Sequence, residues 1–77
     1  MAEPLYAGID LGTARVKVGI FDRLGVAHAL RIIPHSDMPR VEGAVTQDAE
    51  GWWRAVCQGL RDTIGEVDPS RVAALAV

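Results

Sequence analysis

Hydrophobic and polar positions change period several times along the chain, and each change marks an element. Leu5 to Asp10 is a short apolar run that ends in an acid and reads as a buried strand. Leu11-Gly12-Thr13-Ala14 is small and turn-like. Arg15 to Asp22 then alternates, with Val16, Val18 and Ile20 on one face and Arg15, Lys17 and Gly19 on the other. Arg23-Leu24-Gly25 supplies a second turn. Val26 to Ile33 alternates again, with Val26, His28, Leu30 and Ile32 on one face, and Pro34 ends it. Three strands joined by short turns predict an antiparallel meander. Residues 34–47 contain Pro34, Pro39 and Gly43 with no clear period and read as a long loop, a place where function often sits.

The period then becomes helical. Asp48 is a suitable N-cap. Trp53, Val56, Cys57, Leu60, Ile64 and Val67 recur at three- and four-residue steps. They predict an amphipathic helix of about 18 residues, about 27 Å long. Gly65 falls in its fraying last turn, and Asp68-Pro69-Ser70 breaks it. Arg71 to Val77 is an apolar run of strand type. A helix between the third and fourth strands implies a crossover, which makes the fourth strand parallel to a neighbour. Sheets of that kind have both faces covered. One helix covers only one face, so residues 1–77 read as an incomplete domain that is a fragment or needs a partner to close its core.

Composition adds limits rather than a function. The 77 residues suffice for one small domain, and a domain of that size buries only about 60 to 65% of its unfolded surface. With 49% hydrophobic residues a packed core is expected and disorder is not. The net charge of −2 comes from well-mixed charges, with no polybasic arm, so nucleic-acid binding has no electrostatic support. Cys57 is the single cysteine, which excludes an internal disulfide and fits a reducing, cytoplasmic setting. The first six residues include Glu3 and do not form a signal peptide. No apolar run approaches the roughly 20 residues that span a bilayer, so no membrane partner is expected.

The candidate chemistry lies in Gly8-Ile9-Asp10-Leu11-Gly12-Thr13-Ala14-Arg15-Val16-Lys17. It places a carboxylate at the end of a buried strand. A glycine-containing turn follows, whose backbone N–H groups can hold an anion. Thr13 adds a hydroxyl, and Lys17, with Arg15 beside it, adds positive charge on one face of the next strand. Asp10 next to a phosphate is repulsive unless Mg²⁺ lies between them, directly or through water. Acid, glycine turn, hydroxyl and base in this order suit a nucleoside triphosphate. The same spacing also suits an ordinary β-hairpin, since Asp and Gly are common turn residues and Lys and Arg are common on solvated faces. No Gly-Lys-Ser/Thr follows the turn, and the turn leads into a strand, which excludes the P-loop and the dinucleotide fingerprint.

The segment resembles the first phosphate motif of the sugar kinase, Hsp70 and actin superfamily, and that resemblance favours the phosphate reading. Those proteins share a ribonuclease H-like fold that begins with three antiparallel strands, a helix and a parallel strand, the βββαβ order predicted above. A second stretch narrows the resemblance. Gly43-Ala44-Val45-Thr46-Gln47-Asp48, then Trp52-Trp53, is similar to the Gly-Trp-Val-Glu-Gln-Asp and Trp-Trp segment of FGGY carbohydrate kinases, with xylulose-kinase-like members most similar. Asp68 to Val77 resembles the strand before that family's sugar-contacting loop. The similarity covers essentially the whole chain. There are departures: Ala14 stands where many members carry Ser or Thr, and Ala44 and Thr46 replace the aromatic and Glu of the second motif.

The resemblance implies transfer of the ATP γ-phosphoryl group to a sugar or polyol hydroxyl. It assigns Asp10 to orient Mg²⁺ through water, Gly12 and Thr13 to hold the phosphates, and Lys17 to supply a counter-charge. The general base and the adenosine pocket come from later parts of such kinases, beyond Val77. No catalytic base is therefore expected here and no kinase activity from these residues alone, the natural partner being the remainder of the kinase. A chaperone or filament ATPase of the same superfamily, or a non-enzymatic interaction module, remains an alternative. Outside the motif the residues read as structural. Trp53 fits the core stripe and Trp52 its edge, with core packing favoured over sugar stacking. His28 lies among apolar strand positions. His35 has no partner at metal-ligand spacing, so a zinc site is not expected. Cys57 reads as a small core residue.

Overall fold

The computed structural model describes residues 3–12, 14–34 and 49–77. Its elements are β1 (Leu5–Leu11), β2 (Arg15–Phe21), β3 (Ala27–Pro34), α1 (Ala49–Ile64), a short 3₁₀ turn (Pro69–Arg71) and β4 (Val72–Ala76). The sheet order is β3-β2-β1-β4, with β1, β2 and β3 antiparallel and β4 parallel to β1. This α/β arrangement of a mixed four-stranded sheet and one helix matches a partial ribonuclease H-like fold, as expected from the sequence. Of the stretch read as a long loop, residues 35–47 lie outside the described residues, and with them His35, the Gly43–Asp48 motif and the N-cap candidate Asp48, as does Thr13; Pro34, expected to end the third strand, is instead the last residue of β3 and pairs with Arg15.

The pleat sorts the strands into two unlike faces. Leu5, Ala7 and Ile9 of β1, Val16, Val18 and Ile20 of β2, and Ala29 of β3 are buried on one face. Helix α1 lies over β2 and β3 on that side. Ala55 and Val56 pack with Ile9, Val16 and Val18, while Ile64, Val67 and Val72 close over Leu5, Ala7, Ile20 and Ala29. The opposite face carries Tyr6, Gly8 and Asp10, then Arg15, Lys17, Gly19 and Phe21. Leu30 and Ile32 of β3 stand there half exposed, at 50% and 49%. No described helix covers this face. The face of β3 that carries His28, Leu30 and Ile32 is therefore the solvent face, and Ala29 occupies the core.

Helix α1 corrects the reading of the two tryptophans. Its core stripe is Trp52, Ala55, Val56, Gly59, Leu60 and Thr63, whereas Trp53 is 68% exposed. Trp52 is thus the packed residue and Trp53 the outer one. Thr63 is fully buried and donates its hydroxyl to the Gly59 carbonyl at 2.8 Å, so the buried oxygen is satisfied within the helix. Cys57 is only half-buried. The helix ends at Ile64, and the Gly65 N–H donates back to the Arg61 carbonyl at 3.0 Å.

The β2–β3 turn is built on Asp22. Its Oδ1 accepts from the backbone N–H groups of Leu24 at 2.9 Å and Val26 at 3.1 Å, and its Oδ2 accepts from His28 Nε2 at 2.9 Å. Gly25 sits at φ 83°, a left-handed conformation that suits glycine. The hydrogen bond from His28, helped by those from Val26 and Leu24, holds the Asp22 carboxyl below its ordinary 3.8. A depressed carboxyl contributes stability that is complete above its unfolded pKa and is lost as pH falls through the folded one. Below about pH 4 the Asp22→Asn variant should lose less stability than the native chain. Thermal melts between about pH 2 and pH 6 read the difference, and parallel acid limbs in the two proteins would remove this role from Asp22.

Candidate functional site

The β1–β2 hairpin brings the sequence-predicted residues to one end of the uncovered face. Asp10 and Lys17 are direct cross-strand partners, with Leu11 opposite Val16 one step closer to the turn. The pleat puts Asp10 and Lys17 on the same side, away from α1, and both are exposed. A carboxylate and an ammonium therefore flank the mouth of the turn on the open face. Arg15 stands two residues before Lys17 on that face and is also exposed.

Gly12 closes the turn. Its N–H donates to the Arg15 carbonyl at 2.9 Å. A Cβ at residue 12 would lie 2.8 Å from that same carbonyl oxygen, which is backbone and cannot swing aside. Glycine is needed here for close approach. Thr13 lies outside the described residues, so the turn's geometry rests on Gly12, Ala14 and Arg15. Of the four residues expected to bind the nucleotide and its metal, Asp10, Gly12 and Lys17 are brought together, and Thr13 lies outside the described residues.

The open face is concave beside this mouth. A cavity of about 390 Å³ runs along it, lined among others by Gly8, Asp10, Lys17, Gly19, Phe21 and Leu30. Gly8 and Gly19 face each other across β1 and β2. The Phe21 ring lies over Gly19, where a Cβ would meet its Cε2 and Cζ at 2.5 Å. The trough's surface is almost entirely apolar, with Asp10 and Lys17 among the residues that line it.

Among the described residues, the side chains at the turn fit a magnesium site with a single protein carboxylate. Among the described residues no group of three or more His, Cys, Asp or Glu side chains converges. A protein cage for a cation is therefore not built from them. Asp10 offers a single exposed carboxylate, which suits Mg²⁺ completed by water and phosphate oxygens.

One contributor was not legible in the sequence. Trp52 of α1 donates its indole Nε1–H to the Gly12 carbonyl at 3.2 Å, joining the start of the helix to the turn across 40 residues. The adjacent Trp53 instead lines a second, apolar groove of about 300 Å³ on the helix side, with Val56, Leu60, Leu11, Leu75 and Val77. No described helix is long and apolar enough to cross a membrane.

The chain is similar to a sugar kinase, the D-ribulokinase of Saccharomyces cerevisiae. The two are 32% identical over 69 residues, which is 87% of this chain and 10% of the relative. The chain thus spans about a tenth of the length of the curated relative it matches. No family model matches the sequence.

Proposed function

We propose that these residues form the opening segment of the first domain of an ATP-dependent carbohydrate kinase of FGGY type. The observation that carries this reading is the Asp10–Lys17 pair flanking a glycine turn on an uncovered sheet face. The similarity to a sugar kinase over most of the chain supports it. So does the βββαβ order, which leaves one sheet face open for further domain structure.

In this reading the turn between β1 and β2 receives the phosphates of ATP. Phosphoryl transfer needs little covalent work from a protein, and catalysis is mostly positioning and charge stabilisation. Gly12 lets the backbone turn tightly, so that N–H groups face the phosphates. The Thr13 hydroxyl adds a donor. Lys17 offsets phosphate charge from the next strand. Asp10 orients a water-coordinated Mg²⁺, whose charge neutralises the transferring group when it is bound. The acceptor is a sugar or polyol hydroxyl, and a five-carbon ketose is the first choice, because the relative is a ribulokinase and, within the family resemblance, xylulose-kinase-like members are most similar. The base that accepts the hydroxyl proton comes from outside these residues, so the isolated chain transfers no phosphoryl group.

A chimera tests the reading. This chain replaces the matching segment of the yeast D-ribulokinase, and ADP release is followed with pentuloses, hexoses and glycerol. The chimera should release ADP only when an acceptor sugar is present, and the isolated chain should release none. ATP hydrolysis indifferent to sugar would instead favour a chaperone- or filament-type ATPase. A folded but inactive chimera would count against the kinase assignment, and turnover by the isolated chain would end the fragment reading.

A further inference from the structure

Helix α1 leaves part of its own side of the sheet bare among the described residues. It lies over β2 and β3. Toward the ends of β1 and β4 the same face carries Leu11, Leu75 and Val77, exposed at 43%, 51% and 80%. With Trp53, Val56 and Leu60 they form the groove of about 300 Å³, whose surface is apolar throughout. Trp53 is the largest exposed side chain in it, and contiguous exposed apolar surface marks a place where something docks.

The sheet edge beside the groove points the same way. β4 is the outer strand there, and Val72–Ala76 contains no charge, proline or glycine. Strands that stay at an edge are usually blunted by charge or proline. β3, the opposite edge, carries Arg31 and ends in Pro34. Handedness then fixes a side. β3, β1 and β4 run in one direction, so β3–α1–β4 is a parallel crossover. Such crossovers are right-handed in about 98% of cases. Two crossovers of one hand that step across a sheet in the same direction put both helices on one side. A further parallel strand on the free edge of β4 would therefore bring its helix to the α1 side, over β4 and β1, where the groove lies.

We propose that the Trp53 groove seats a second, amphipathic helix from the polypeptide that follows Val77, ahead of a fifth parallel strand on the edge of β4. This rests on the reading under Proposed function. The chain spans 10% of the length of its relative, and Val77 itself lines the groove, so that polypeptide sets out beside it. As crossover helices between strands of one direction, α1 and the second helix run parallel, about 8 to 10 Å apart. The Trp53 indole fills the space between them.

Hydroxyl-radical footprinting by mass spectrometry reads the indole directly, in the isolated chain and in the chimera. Oxidation of Trp53 should fall about fivefold in the chimera as an indole now 68% exposed is covered, with Trp52 little changed. Equal oxidation of Trp53 in the two proteins would overturn the proposal. Protection already present in the isolated chain would mean that residues 35–48 or a second copy fill the groove, and would overturn it too. The second measurement is stability. Trp53→Ser and Leu75→Ser should each lower the Tm of the chimera by about 5 to 10 °C. In the isolated chain each should cost less than about 4 °C, as surface changes do. Losses as large in the isolated chain would show that the two residues work within these 77 residues and defeat the proposal. One helix touching both residues makes the double variant of the chimera lose less than the two single losses combined. Strict additivity would mean separate covers and defeat the single helix. The footprint needs no substitution, so it decides the matter even where a variant does not fold. It also needs no nucleotide, so failure of the kinase reading would be seen separately, as absent sugar-dependent turnover in the unmodified chimera.

Discussion

Changing Asp10 to alanine in the chimeric kinase should lower kcat by about 10²- to 10³-fold, the range seen when one preorganised charge-stabilising group is removed. The melting temperature should hardly move. Asp10 is exposed, on the sheet face away from α1, and belongs to neither core cluster. Surface substitutions of that kind stay within about 0.5 kcal/mol. The contrast between the two readouts separates a metal-orienting carboxylate from an ordinary hairpin acid. A plain hairpin would give the opposite pattern, with some stability lost with the Asp10–Lys17 cross-strand attraction and turnover intact. The Asp10→Asn variant refines the result. It keeps the shape and removes the charge, so it should be nearly as inactive as the alanine variant if the charge on Mg²⁺ is what matters. Native-like turnover in Asp10→Ala would discard the role assigned to that residue.

The strands were legible because the period of two runs through them with few exceptions. Val16, Val18 and Ile20 alternate with Arg15, Lys17 and Gly19, and the structure buries the first set and not Arg15 or Lys17. The crossover to a parallel β4 followed from a helix lying between two strands. Asp10, Gly12 and Lys17 were legible as a group because hairpin pairing makes residues seven apart in sequence direct neighbours. The phase of α1 was legible in part. Of Trp53, Val56, Cys57, Leu60, Ile64 and Val67, the spacing places Val56, Leu60, Ile64 and Val67 correctly against the sheet, but the centre of the stripe is shifted toward small residues and Trp52. Ala55 and Gly59 are buried, and Trp53 is pushed to the flank. Size was a poor guide there because a close helix–sheet approach selects for absence of side chain. The same rotation brings Trp52 to Gly12, a contact across 40 residues that no local spacing encodes.

That close approach makes Gly59→Ala the sharpest test of the packing. In an exposed helix the change would stabilise by about 1 kcal/mol, because glycine is the poorer helix former. Here an added Cβ would lie 2.6 Å from Val18 Cγ2 and 3.1 Å from Val18 Cβ, with Ile33 Cγ1 at 3.6 Å. Val18 is fully buried in the central part of the sheet and is β-branched, so it has little rotamer freedom with which to yield. Overpacking of this kind costs about 1 to 3 kcal/mol. Less the propensity gain, this leaves a net loss of up to about 2 kcal/mol, which should lower Tm by about 4 to 8 °C for each kcal/mol lost in a domain of this size. A higher Tm would mean that α1 does not lie so close to β2. The partner substitution Val18→Ala makes room for the new methyl, so the double variant should lose less than the two single losses combined. Trp52 lies on the same helix face, two turns before Gly59. A helix lifted by the new methyl would draw the indole from the Gly12 carbonyl, so exchange at the Trp52 indole N–H should rise together with the fall in stability.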